Sequence, residues 1–393
     1  MKKNVLAVIA VITIFALASC STPTSGGGGE DSKNQEIAEE NEFYLVSAEA
    51  ETDPVESADD AADDMAIWYN HEDPSASTII ATKKQKGLVV YDMDGNELYN
   101  YPVGRVNNVD IKTKFGLGND SITLVGASNR TDNSVTLMKL NPETRELEEL
   151  ELASPFKPKT SEVYGFCLYR CSHKTRFIKD HINKMYAISV GKDGTLDQWE
   201  LVNEEGKVRP RYARVLKFDT QCEGLVADDE TGNLFVGEEA KGIWKIPALP
   251  AEGDKKELVA DASKMKIAPD VEGLTIYYGS EGKGYLIASS QGNNSFAVFT
   301  RGGNHKYLGS FMITGNNGVD GVSETDGIEV LNLSLGSDYP DGVFIAQDGF
   351  NYEGEQQVNQ NFKMADWKEI ARQFQPWLLI DNSYVAAKDR INR

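Results

Sequence analysis

The chain has 393 residues, of which 61 are acidic and 40 basic, for a formal net charge of −21. So large an acidic excess argues against nucleic acid as a partner, because that binding is driven by Lys and Arg neutralising phosphates. It also means that any polyanion handled by this protein must be met through added cations.

The chain opens with Lys2 and Lys3, followed by an apolar run over residues 5–18. The run is shorter than the roughly 20 apolar residues that span a bilayer, and it reads as a signal peptide. It ends in Leu17-Ala18-Ser19-Cys20, which resembles a bacterial lipoprotein box and makes Cys20 the expected lipidated first residue of the mature chain. Residues 21–57 are rich in Ser, Thr, Gly and Glu, with four consecutive glycines at 26–29, and predict a flexible acidic tether. The expected organisation is a lipoprotein signal at 1–20, a linker at 21–57 and one folded domain at 58–393. That domain is expected to be an exported monomer, periplasmic or at the cell surface, touching the membrane through its anchor alone.

Past Cys20 the cysteines are Cys167, Cys171 and Cys222. An odd count leaves at least one thiol free or paired between chains. Cys167, Cys171 and His173 lack the tighter paired spacing of thiol-rich zinc sites.

The body alternates short β-type runs with Gly and Asx turns. Gly87-Leu88-Val89-Val90-Tyr91, Val135-Thr136-Leu137-Met138 and Gly242-Ile243-Trp244-Lys245-Ile246 are strands, and Asp94-Gly95 and Glu205-Gly206 are hairpin turns. The runs repeat. A polar residue enters a strand at Asp64, Asp110, Tyr164, Glu223, Glu272 and Asp326, at intervals of 46 to 59 residues. Each is followed by an apolar strand and a polar cluster, as in Ile79-Ile80-Ala81 before Thr82-Lys83-Lys84, or Leu124-Val125-Gly126 before Ala127-Ser128-Asn129-Arg130. A period near 50 residues with about four strands per unit is the signature of a β-propeller, and six units predict an all-β, six-bladed one. Equivalent positions then fall on one ring, so carboxylates, cations and a tyrosine converge at one mouth of the central channel. Simple turn-forming repeats would also place small polar residues there. Mixed charge at equivalent positions favours a site.

Clustered carboxylates bind cations or hold protons, and hard oxygen donors suit calcium rather than zinc. The four histidines, His71, His173, His181 and His305, stand outside the repeat-equivalent clusters. The chain carries no Arg-His-Gly, no Cys-(five residues)-Arg loop and no P-loop. Lys84, Arg130 and Lys192 stand in the polar cluster of three units, and fixed cations beside bound metals suit a multiply charged anion. Metal-assisted phosphoryl chemistry fits that combination.

These residues resemble those of the bacterial β-propeller phytases, the alkaline calcium-dependent type. The matching stretches run from Asp63-Asp64-Met-Ala-Ile-Trp68 through Asn107-Asn108-Val-Asp110-Ile111, Glu162-Val-Tyr164-Gly-Phe166, Glu223-Gly-Leu-Val-Ala-Asp228 and Asp270-Val-Glu272-Gly-Leu to Thr325-Asp326-Gly-Ile328 and Asn359-Gln-Asn361-Phe-Lys363. The resemblance implies several calcium ions, structural and catalytic, and hydrolysis of phytate (myo-inositol hexakisphosphate), as its calcium complex. It implies Asp64, Glu223, Glu239, Asp270, Glu272, Gln291 and Asp320 beside the catalytic calciums, with Asn108, Asp110, Asp326 and Asp348 as further metal candidates. Lys84, Arg130, Tyr164 and Lys192 would grip phosphate, and Glu223, Asp64, Glu239 and Tyr164 would form the catalytic set. The chain departs from the family at Gln85, where a second lysine is usual, at Asp193, one methylene shorter than the usual Glu, and at Cys222. The alternative is a non-catalytic surface propeller that binds calcium-bridged ligands or partner proteins. A propeller lactonase fits less well, since it uses one central metal.

Overall fold

The structure is a computed structural model and describes residues 28–387. The signal peptide and Cys20 lie outside the described residues. Each repeat unit becomes one antiparallel sheet, giving six blades in chain order. The innermost strands are Ala62–Trp68, Val106–Leu117, Val163–Arg170, Cys222–Asp228, Val271–Tyr278 and Ile328–Leu331. Blades one to four are each completed by the next three strands in sequence. Middle strands such as Thr78–Lys83 and Val343–Asp348 are buried at every position, whereas the outer strand Glu97–Tyr101 has no buried position. Burial on both faces explains why the inner strands read as apolar runs rather than strict alternation. The Glu205-Gly206 turn has positive φ at both residues, 53° and 83°, the geometry of a two-residue hairpin that matches strand twist.

Stability comes from between the blades. Six apolar clusters each unite residues of two neighbours. One joins Ala66, Val90, Val109 and Met138 of blades one and two. Another joins Met65, Val89, Val343 and Phe362 of blades one and six, and closes the ring. Fully burying such a side chain stabilises by about 1.5–3 kcal/mol.

The tether predicted over 21–57 differs from what the structure shows in its later part. Residues 28–57 fold onto the propeller. Gly28–Asn41 is a helix whose Ala38 packs with Phe43 and Met312. Tyr44–Ser47 pairs in parallel with Tyr307–Thr314 as a fifth strand of blade five, and Ala50–Glu51 is the outermost strand of blade six, against Asn361–Asp366. Acidic, Gly-rich composition masked four apolar positions, Ala38, Phe43, Val46 and Ala48, which find partners in blades five and six.

At the other end, a helix spans Trp367–Gln373 and is capped by Asp366, whose carboxylate accepts the Lys368 amide at 2.8 Å. Trp367 stacks on Tyr277 with centroids 4.1 Å apart. The stretch beyond it straps blades six and four together. Asn332 Nδ2 donates to the Asp381 and Tyr384 carbonyls, and the Tyr384 hydroxyl donates to Glu230 at 2.8 Å. The three described cysteines are free and buried.

Candidate active site at the channel mouth

Five of the six innermost strands begin with the same irregularity. In blade one the pairing steps from Ala62↔Lys83 to Met65↔Ala81, so Asp63 and Asp64 oppose Thr82 alone. The same step follows Val106, Val163, Cys222 and Val271. A bulge of two residues against one turns its pair in different directions. The first residues, Asp63, Asn107, Tyr164, Glu223 and Glu272, gather at the mouth, and Asp326 joins them from blade six. The second residue is Gly165, Gly224, Gly273 or Gly327 in four blades. A methyl on Gly165 would stand 1.8 Å from the Glu223 carbonyl oxygen, and one on Gly224 would stand 2.0 Å from that of Glu272. Glycine there lets the inner strands approach, and the Gly273 and Gly327 amides donate across the ring to the Asp326 and Asp63 carbonyls at 2.7 and 3.0 Å.

This register moves two predicted positions. Asp64 is the second residue of its bulge and points down the channel, where it accepts the Val109 amide at 3.1 Å and Asn108 Nδ2 at 3.2 Å. Burial, first of all, pushes its carboxyl up to about 8. Asp110 lies deeper still, accepting the Leu168 amide at 2.8 Å and pairing with Lys112. Asp63 and Asn107 hold the mouth positions in their place.

The mouth opens into a cleft of about 680 Å³ lined by Lys84, Tyr164, Glu239, Asp270, Glu272, Gln291 and Asp326. Glu223, Glu239 and Glu272 each bring a carboxylate oxygen within 4.8 Å of the others. Burial raises the Glu223 and Glu272 carboxyls well above their ordinary values, and each is pushed further by Asp326. Burial takes Glu239 to about 7, against a hydrogen bond from Gln221. Glu239 Oε1, Glu272 Oε2 and Asp63 Oδ1 are buried without a hydrogen-bond partner. Buried oxygens left unsatisfied are costly, and a bound cation would satisfy them. The donors are all oxygen, the preference of a hard divalent ion. Gln291 Nε2 donates to Asp326 Oδ1 at 2.7 Å, which ties it to the same cluster.

The cations sort differently from one another. Lys84 Nζ is enclosed by Asp60 at 2.5 Å, Asp326 at 2.6 Å and Asp63 at 3.1 Å, so it balances the carboxylates. Lys83 turns away toward Glu56, and Gln85 lies on the exposed turn. Arg130 and Lys192 flank the Tyr164 ring at 5.4 and 4.7 Å from its centroid. Burial and then the Glu223 charge hold the Tyr164 phenol protonated far above its usual range. Asp193, one methylene shorter than the family's usual Glu, accepts the Thr160 hydroxyl and Thr195 amide and shapes its own turn.

Two further predicted ligands stand apart. Asp320 and Asp348 surround the buried Lys363 with Glu51 and Asn351, at the junction of blades five and six. Asp320 also accepts the Tyr352 amide at 2.8 Å. Neither joins the cluster of Glu223, Glu239 and Glu272, so the placing of Asp320 beside the mouth carboxylates is corrected.

The phytase family model matches residues 6–390. The chain belongs to the phytase family. A curated 3-phytase of Bacillus subtilis (strain 168) is 45% identical over 337 residues, covering 85% of this chain and 86% of that protein. Two solved chains of BBS1N in complex with ARL6DN, soaked with lead and with mercury, align at 11% and 10% identity. Their TM-scores are 0.41 and 0.44, over 77% and 82% of this chain and 78% and 96% of theirs. Likeness at that level bears on neither site nor activity.

This phytase is a hydrolase, and its mouth contains three residues to which no role attached from sequence. Asp63 is masked by its neighbour Asp64. Asn107 is fully buried, donating to Glu223 Oε1 at 2.7 Å and accepting from Arg130 Nη1 at 3.2 Å. It thereby joins the carboxylate cluster to the Arg130 guanidinium. Glu162 pairs with Arg130 and Lys192. The repeat offset could have located Asn107, had the bulge been read as part of the unit.

Proposed function

We propose that this phytase releases orthophosphate from phytate in a calcium-dependent reaction at the channel mouth. The observation that carries the reading is the triad of buried glutamates, two of them with an orphaned oxygen, set beside a tyrosine flanked by two cations. Glu223, Glu239 and Glu272, with Asp63, Asp270 and Asp326 next to them, are the residues that would hold calcium. Calcium held there would neutralise phosphate oxygens and lower the pKa of coordinated water.

The chain's own residues supply the rest. Asn107 fixes Glu223 Oε1 and leaves the other oxygen of that carboxylate to face the cluster. Lys84 offsets the charge of Asp60, Asp63 and Asp326, so that this ring of carboxylates persists in a buried place. Arg130 and Lys192 receive a phosphate group, with donors whose geometry suits its oxygens. The Tyr164 hydroxyl, kept protonated, is a donor to the same group. The cleft excludes bulk water from one side of it.

The test is orthophosphate release from phytate by the full chain, with calcium and with excess chelator, alongside Glu223→Gln. Release is expected with calcium, and a fall of at least about a hundredfold with chelator or in the variant. Calcium-independent release, or wild-type turnover by Glu223→Gln, would remove the assignment.

A further inference from the structure

The place where Arg130 and Lys192 converge already holds an anion. Arg130 Nε and Nη2 both donate to Glu162 Oε1, at 2.8 and 2.5 Å, which uses one full edge of the guanidinium. Nη1 on the opposite edge donates to Asn107 at 3.2 Å. Lys192 Nζ stands 3.7 Å from the same Glu162 oxygen. Glu162 is no core residue. Its side chain keeps 41% of its surface exposed, and it sits on the loop just before Val163–Arg170, two positions from Tyr164. Its oxygen Oε2 takes part in none of these contacts.

A carboxylate matches a guanidinium edge in the way a phosphate does, with less charge. An incoming phosphate group must therefore take the Arg130 edge from Glu162. We propose that Glu162 is a specificity-determining residue, an internal occupant of the Arg130–Lys192 phosphate seat that substrate has to displace. This rests on the reading of the site as a phosphate-ester hydrolase and deepens it. The displacement falls unequally on different esters. A substrate with several phosphates keeps contacts elsewhere in the cleft while one of them displaces the carboxylate. An ester with a single phosphate has no other hold. Glu162 thus selects polyphosphorylated substrates over simple monoesters.

The experiment uses the full chain as wild type, Glu162→Gln, Glu162→Asp and Arg130→Ala. Inorganic phosphate is titrated into calcium-free protein by phosphorus NMR, and KM and kcat are measured with calcium for phytate and for 4-nitrophenyl phosphate. Removing the charge in Glu162→Gln is expected to tighten phosphate binding by about tenfold. It should lower KM for 4-nitrophenyl phosphate by a similar factor and for phytate by less, with the change carried by KM. Glu162→Asp keeps the charge and should stay nearer wild type. Unchanged or weaker phosphate binding in Glu162→Gln, while Arg130→Ala abolishes it, would overturn the proposal and leave the hydrolase reading standing. Phosphate binding unaffected by Arg130→Ala would remove the seat itself and the proposal with it, and would leave the hydrolase reading to phosphate release from phytate. A higher calcium requirement in Glu162→Gln would mean that the carboxylate holds a cation instead, which also overturns the proposal.

Discussion

Asp229, at the foot of the innermost strand of blade four, is fully buried. Its Oδ1 accepts the Arg170 amide at 3.0 Å, and its Oδ2 has no hydrogen-bond partner. Burial pushes its carboxyl up to about 6, with Lys112 and then Arg170 opposing. An acid whose folded pKa exceeds its unfolded value holds its proton more tightly when folded. Its contribution therefore favours folding at low pH and declines as pH rises from about 4 through about 6, after which it is a constant cost. At about 1.4 kcal/mol per tenfold, that decline amounts to roughly 3 kcal/mol. Asp229→Asn has no such titration. Urea unfolding across pH 4 to 8 should show the variant gaining on wild type by up to about 3 kcal/mol between pH 4 and 6, then holding level. A difference that does not change with pH would show that Asp229 titrates normally. The same scale sets how much of the site was legible. Glu223, Glu272, Tyr164 and Asp326 were found because repeat spacing alone fixes their ring. Asp63 was displaced by its neighbour Asp64, and Asn107 by Asp110 three positions on, because the bulge register that decides between them is not revealed by composition.

Among elements, the bulged strand start carries the design. Glu223-Gly, Glu272-Gly, Tyr164-Gly and Asp326-Gly are all visible as recurring pairs in the sequence. What those glycines do depends on the neighbouring blade, since the carbonyl that a side chain would strike belongs to the next repeat. Gly224→Ala would press a methyl to 2.0 Å from the Glu272 carbonyl oxygen, a backbone atom held between two strands. One strand must shift, at a cost of about 1–3 kcal/mol for overpacking. The shift also turns Glu223 and Glu272, which share the cluster. Gly224→Ala is therefore expected to lose activity by at least tenfold while remaining folded. Gly116→Ala, in blade two with nothing within 4 Å and no positive φ, should change neither activity nor stability. Equal effects of the two substitutions on thermal unfolding and on turnover would refute the role given to the bulge.

For the whole molecule the question is how the ring is closed, and here the sequence reading placed the domain boundary too late. Hydrophobic periodicity marked six units accurately, yet the pieces that complete blades five and six come from 28–57, where short strands are surrounded by acidic and polar residues. Ala48 and Val55 are buried to 0% and 1% exposure. The Ala48, Glu49, Thr52 and Val55 amides donate to the Thr314, Met364, Phe362 and Gln360 carbonyls. Glu51 is one of the carboxylates around the fully buried Lys363 ammonium, and removing it leaves that charge with fewer partners, which is costly in a buried place. A chain begun at residue 58 lacks all of this. Phe43, Val46, Ala48 and Val55 alone represent several kcal/mol of apolar burial. For a domain of this size that loss translates to a lower Tm by on the order of 10 °C. A chain begun at residue 28 keeps both strands and should match the full chain. One begun at residue 43 loses the helix and the Asn34 hydrogen bond to the Val322 carbonyl, and should fall between the two. Calorimetry of the three chains decides the matter. A chain from residue 58 that melts with the full chain would make 28–57 an ornament on a ring already closed by Asn361–Asp366, and a graded loss would make the N-terminal segment the clasp that holds the six blades in register around the mouth.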